Sequence, residues 1–187
     1  MSVQIIDTLT EIADNPVEGA VETACRAPME TGLVCYAAGA LGFFAAAGIW
    51  NLIPSGFFFL MPVFIFQTFW GFLAAATAHL FLESTGGEQG KAAGLFVLFG
   101  VSDLVLTLMV PAALLTAAFA GSSAALSAFT TVFCLHFCAR IFAVRCVYGC
   151  GAFRAFTAVL LPYAALAAGT GLVLLSGLAW LVSLLLT

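Results

Sequence analysis

The chain has 187 residues, 64% of them hydrophobic and 7% charged, and a mean hydropathy of +1.18. Soluble domains carry about 25% charged residues, so this composition excludes a water-exposed globule. Five Lys and Arg against nine Asp and Glu give a net charge of −4, without the basic patch that nucleic-acid binding needs. The chain reads as all-α: a polytopic membrane bundle of five transmembrane helices behind a short amphipathic N-terminal segment.

That segment, residues 1–31, holds six acids (Asp7, Glu11, Asp14, Glu18, Glu22, Glu30) and one base, Arg26. It lacks a basic leader region, and the first long apolar run starts after residue 31, so it does not read as a signal peptide. Val3, Ile5, Ile6, Leu9 and Ile12 recur at helical spacing. Ile5, Ile6, Leu9 and Ile12 are the candidate partner-binding residues, since an apolar helix stripe can dock on another protein. Asn15-Pro16 ends that helix, and Pro16 suits the first turn of a second. The alternative role for the segment is a cap over the cytoplasmic ends of the bundle.

Residues 32–187 form the membrane domain. A bilayer core of about 30 Å needs about 20 helical residues. Spans are expected near 32–53, 57–82, 91–119, 123–147 and 152–185. The connections at Asn51–Gly56, Ser84–Gly90, Ala120–Ser123 and Tyr148–Gly151 are short, which makes consecutive helices antiparallel neighbours. Pro162, followed by Gly169 and Gly171, predicts a kink or break in the last span. Splitting that stretch gives a six-span alternative. Gly39, Gly42, Ala46 and Gly48 in the first span, with Gly94 and Gly100 in the third, suit close helix packing in lipid.

With five spans, Arg26, Lys91, Arg140, Arg145 and Arg154 fall at one end of the bundle. The positive-inside rule then places the N-terminus in the cytoplasm and Thr187 outside. The expected location is a bacterial inner membrane, or an endomembrane in a eukaryote.

Ionisable residues inside a span are functional candidates, because charge there costs at least about 2.5 kcal/mol. Asp103, His136 and Arg140 are the intramembrane polar candidates. Asp103 and His136 can meet if the third and fourth spans touch. The site is then either a proton-relay or cation site, or a buried pair that fixes helix register. His79 reads as capping or snorkelling near the end of the second span, and Glu83 is placed level with Arg140 for a salt bridge. Cys134, Cys138, Cys146 and Cys150 read as packing residues, because one straight helix cannot gather four thiolates on a metal. No nucleophile constellation, carboxylate pair or phosphate loop is present. No catalytic residue, metal or cofactor is expected.

Several of these features resemble the YIP (Ypt/Rab-interacting protein) family of polytopic membrane proteins, in its compact bacterial-type form. They are Asn15-Pro16 before an amphipathic segment; His79-Leu80-Phe81-Leu82 closing on Gly86-Gly87; Lys91 to Asp103 and then Pro111; and Tyr148-Gly149, Arg154-Ala155 and Leu161-Pro162. The resemblance implies five spans, a cytoplasmic N-terminus, no enzyme activity and no cofactor. The Asp-Leu-Tyr-Gly-Pro-type stretch of the eukaryotic trafficking members is absent from the head.

Two functions follow as expectations. The first is a non-catalytic membrane scaffold or interaction protein, as an accessory subunit of a larger membrane complex or a trafficking or membrane-organisation factor. Its partners are membrane lipids and a protein in the membrane or at its cytoplasmic face. The alternative is a small transporter or channel-like protein that uses Asp103 and His136.

Overall fold

The computed structural model describes residues 2–53, 56–86, 90–119 and 122–186. The chain is all-helical. Helices α1 (Ser2–Asp14) and α2 (Pro16–Arg26) form the head. The spans are α3 (Met29–Ile49), α4 (Leu60–Ser84), α5 and α6 (Ala92–Asp103 and Met109–Phe119) in succession, α7 (Ser122–Tyr148) and α8 (Ala152–Leu186). All five are long and apolar enough to cross a membrane. Of the expected connections, residues 54–55, 87–89 and 120–121 lie outside the described residues, as does Gly87 of the Gly86-Gly87 pair.

The first span lies slightly earlier than the sequence suggested, for local reasons at both ends. Pro28 caps α3, and Glu30 stands in its first turn, where the helix dipole favours an acid. At the far end Asn51 adopts a left-handed backbone. Its N–H donates to Gly48 O, and that of Leu52 donates to Ala47 O, the Schellman pattern that stops a helix.

The break expected in the last span falls in the third instead. Pro162 sits inside a continuous α8, so the six-span alternative is not realised. Between α5 and α6, residues Leu104–Leu108 tighten into a 3-10 helix. Pro111, in the first turn of α6, has no N–H to offer the Thr107 carbonyl. The preceding turn closes with shorter-range bonds instead.

The buried side chains form two cores. The first lies toward the head. It joins Ala20 and Ala24 of α2 to Tyr36, Ala78, Leu82, Leu95, Phe99, Val144, Tyr148 and Val159, with every span contributing. The second is smaller and lies toward the other end: Ala46, Leu106, Met109, Ala113 and Val132 from α3, α6 and α7 and the 3-10 turn. Among the described residues, neither α4 nor α8 contributes to it. Beyond Tyr163, α8 is exposed on almost every described residue. α5 is the central element, buried from Gly94 through Gly100. Glycines let α3 and α5 touch: a Cβ on Gly39 would lie 2.5 Å from Asp103 O, and one on Gly100 would lie 2.5 Å from Gly32 O. Gly48 faces open space and serves no such contact.

α2 packs against α5 and α7. A Cβ on Gly94 would lie 2.3 Å from Ala24 O, so the head rests directly on the bundle. Arg154 bonds both the hydroxyl and the carbonyl of Thr85, which ties the second and fourth connections together at the head end.

Candidate functional site

The two cores meet at a buried polar cluster. Asp103 stands at the end of α5, about 17 Å along the helix axis from Ala92. His136 and Arg140 lie one turn apart on α7 and therefore share a face. His136 Nε2 lies 2.7 Å and Arg140 Nη2 2.8 Å from Asp103 Oδ1. Gln67 of α4 donates to Asp103 Oδ2. Arg140 Nη1 donates to the Tyr163 hydroxyl of α8 at 3.1 Å. The cluster thus links α4, α5, α7 and α8, all four spans that follow the first.

Its hydrogen-bonding pattern fixes the charge states. Three donors converge on two carboxylate oxygens, the complement of an ionised acid. Arg140 carries the matching positive charge and lies with its guanidinium 4.9 Å from the centre of the Phe99 ring. A carboxylate only accepts, so His136 donates through Nε2; Arg140 already balances Asp103, and a second buried cation would have no counterion, so His136 is neutral with Nδ1 as its acceptor. Asp103 and Arg140 cancel, and the cluster as a whole is uncharged. Two nitrogens are left over: His136 Nδ1 and Arg140 Nε are buried with no protein partner among the described residues. Unpaired buried polar atoms are rare, because each forfeits its hydration.

A cavity of 290 Å³ opens beside the cluster. Gln67, Asp103, His136, Arg140 and Tyr163 line its polar side; Phe43, Val63, Phe66, Trp70, Leu106, Met109, Phe133 and Leu166 line the rest. Phe66, Phe133 and Leu166 are 66%, 41% and 50% exposed on the outside of the bundle, so the cavity communicates with the apolar surroundings of the spans. Toward the head it ends on the packed first core. At this level the second core draws on neither α4 nor α8 among the described residues, and α8 is mostly exposed beyond Tyr163.

The three intramembrane candidates read from the sequence are therefore brought together, but the other expectations fare differently. The Glu83–Arg140 salt bridge does not form. Arg140 is drawn into the bundle by Asp103, while Glu83 lies 3.7 Å from His79 one turn away. His79 also meets the Tyr148 hydroxyl through Nδ1 at 2.7 Å, which makes it a tie between α4 and α7 rather than a free snorkelling group. The apolar stripe of the head is partly consumed internally. Ile12 packs on the first core, Ile5 and Leu9 are half-buried, and Ile6 is exposed. Cys35 is buried, whereas Cys134 and Cys138 face outward, and no group of metal-ligating side chains assembles among the described residues.

Gln67 and Tyr163 escaped the sequence reading. Neither is ionised at neutral pH, so a search for charge inside the spans passes over them. The available signal was weaker: Gln67 carries an amide in the middle of an otherwise apolar helix, and Tyr163 adjoins Pro162.

The head has its own electrostatic clasp. Arg26 bonds Glu11 of α1 at 3.1 Å and also pairs with Glu22 of α2. Its hydrogen bond holds the Glu22 carboxyl below the usual carboxylate range, and the hydrogen bond that Glu11 donates to Glu22 pushes the Glu11 carboxyl up. The two acids thus share one cation and one proton position.

Fold and site together define a class: an all-helical bundle of five apolar, membrane-length helices around a neutral, buried acid–base cluster. No family model, curated protein or solved structure matches the chain.

Proposed function

We propose that the chain is a small transporter-like membrane protein that binds a small molecule at the Asp103–His136–Arg140 cluster and performs no covalent chemistry on it. The cavity that reaches this cluster is the observation that carries the reading. A bundle serving only as a scaffold has no need of a cavity lined on one side by a buried polar cluster. The packed first core argues against an open channel, since it closes the head end.

Arg26, Lys91, Arg145 and Arg154 remain at the head end once Arg140 is assigned to the interior. That distribution supports a cytoplasmic N-terminus and a C-terminus outside, in a bacterial inner membrane or an endomembrane.

Native mass spectrometry of the chain released from its own membrane tests the reading. A bound small-molecule mass is expected with the wild type and not with Asp103→Leu/Arg140→Met, which removes the cluster while keeping the volume apolar. A chain that carries no small molecule and copurifies with protein partners instead supports the scaffold reading. That second reading, with the YIP-like relationship behind it, draws support from the apolar residues Ile6, Val17 and Val21 left exposed on the head. Loss of those partners on deleting residues 1–14 would place them on the head.

A further inference from the structure

We propose that the cavity holds the head of an uncharged, lipid-borne ring compound carrying a hydrogen-bonding oxygen, the chemistry of a quinone or quinol, which enters between α4 and α8. This rests on the small-molecule reading above and names the ligand class.

Four observations converge. The mouth is formed by Phe66 and Leu166, both largely exposed on the faces that meet lipid, so the ligand arrives from the bilayer rather than from water. The walls are unusually rich in rings: Phe43, Phe66, Trp70, Phe133 and Tyr163 all line the cavity. Planar heads gain from edge and offset contacts with such rings. The cluster is neutral, because Arg140 already compensates Asp103. A charged head would therefore enter a low-dielectric site without a counterion, whereas an uncharged one does not meet that penalty. Finally, the half-buried Tyr163 hydroxyl lines the cavity and accepts from Arg140 Nη1, which leaves its own proton to be donated. A ring carbonyl accepts that proton.

The size agrees. A cavity of about 150 Å³ takes benzene, and this one, at 290 Å³, has room for a substituted ring and the start of its tail. The tail then leaves along the exposed second half of α8. Binding alone is assigned to the cavity, with no electron transfer.

Trp70 in the wall supplies the readout. The full chain in lipid nanodiscs, with Trp50→Phe and Trp180→Phe so that Trp70 is the sole tryptophan, is titrated with a decyl-substituted benzoquinone. A bound quinone quenches Trp70 saturably, whereas quinone merely dissolved in lipid quenches in proportion to its concentration. Saturable quenching is expected, weakened at least tenfold by Val63→Phe/Leu166→Phe, which fills the cavity from a half-buried wall position and from its exposed mouth and leaves the cluster untouched. Dodecanoate, a charged amphiphile of similar length, is expected not to displace the quinone. Proportional quenching overturns the inference, and so does displacement by dodecanoate at matching concentration. The native mass measurement separates the two levels. A bound mass with proportional quenching refutes the ligand class and leaves the small-molecule reading standing; no bound mass and proportional quenching refute both.

Discussion

Asp103 Oδ1 and Arg140 Nη2 lie 2.8 Å apart between the third and fourth spans, with both side chains closed off from the surroundings. This contact sets the charge balance of the interior and fixes how α5 and α7 face each other.

Breaking that pair from one side is costly. Removing one partner of a buried ion pair leaves an uncompensated charge, at about 3–5 kcal/mol. Asp103→Leu, and also Asp103→Asn despite its similar shape, should destabilise the chain by that order, because either leaves Arg140 positive in an apolar bundle. The double variant Asp103→Leu/Arg140→Met should recover most of the loss. Thermal unfolding in detergent micelles measures all three. An Asp103→Asn variant as stable as the wild type would mean that Arg140 does not depend on Asp103.

Two glycines on the same helix should respond oppositely. A methyl group at Gly39 collides with the Asp103 backbone, so Gly39→Ala must push α3 from α5, at about 1–3 kcal/mol. A methyl group at Gly48 meets nothing. Gly48→Ala should be neutral or stabilise by up to about 1 kcal/mol, the difference in helix propensity. The two Tm values, measured side by side, check the packing of the first span against the third.

The head clasp makes a pH prediction. The folded Glu22 carboxyl is depressed, so the stability it lends is present above its unfolded pKa and fades as pH falls through the folded value. The folded Glu11 carboxyl is raised, so its contribution has the opposite sign and is lost as pH rises through that value. Glu22 and Arg26 both lie on α2, so α1 is held through Glu11: protonated Glu11 donates to ionised Glu22 through the ordinary carboxylate range, and α1 should loosen only below it. Hydrogen exchange of residues 2–14 should accelerate below that range in the wild type. In Arg26→Ala it should already be fast at neutral pH. Equal exchange in both chains at neutral pH would rule out the clasp as what holds α1.

The bond from Arg154 to Thr85 predicts topology. Single cysteines at Thr85 and Gly149 in a cysteine-free background should label from one side of the membrane, and one at Leu52 from the other. Labelling of all three from the same side would be incompatible with five alternating spans.

The number of spans and most of their limits were legible in the sequence, because each is set locally: a run of apolar residues must match the bilayer, and charges and turn residues must fall between runs. The meeting of Asp103 with His136 was legible too, since both lie at similar depths on consecutive spans joined by a short turn. Local signals misled where two competed. Pro162 looked disruptive, yet its helix runs on, while Pro111, read only as part of a resemblance, stands just after the tightened turn that follows Asp103. Only the tertiary structure decided that Arg140 turns inward to Asp103 rather than outward to Glu83. The sequence sets both carboxylates near that depth, and the choice depends on which helix α7 packs against. It likewise decided that Gln67 and Tyr163 complete the cluster and that a cavity opens beside it. Such features arise from the relative positions of residues far apart along the chain, and hydrophobic periodicity within one helix does not carry that information.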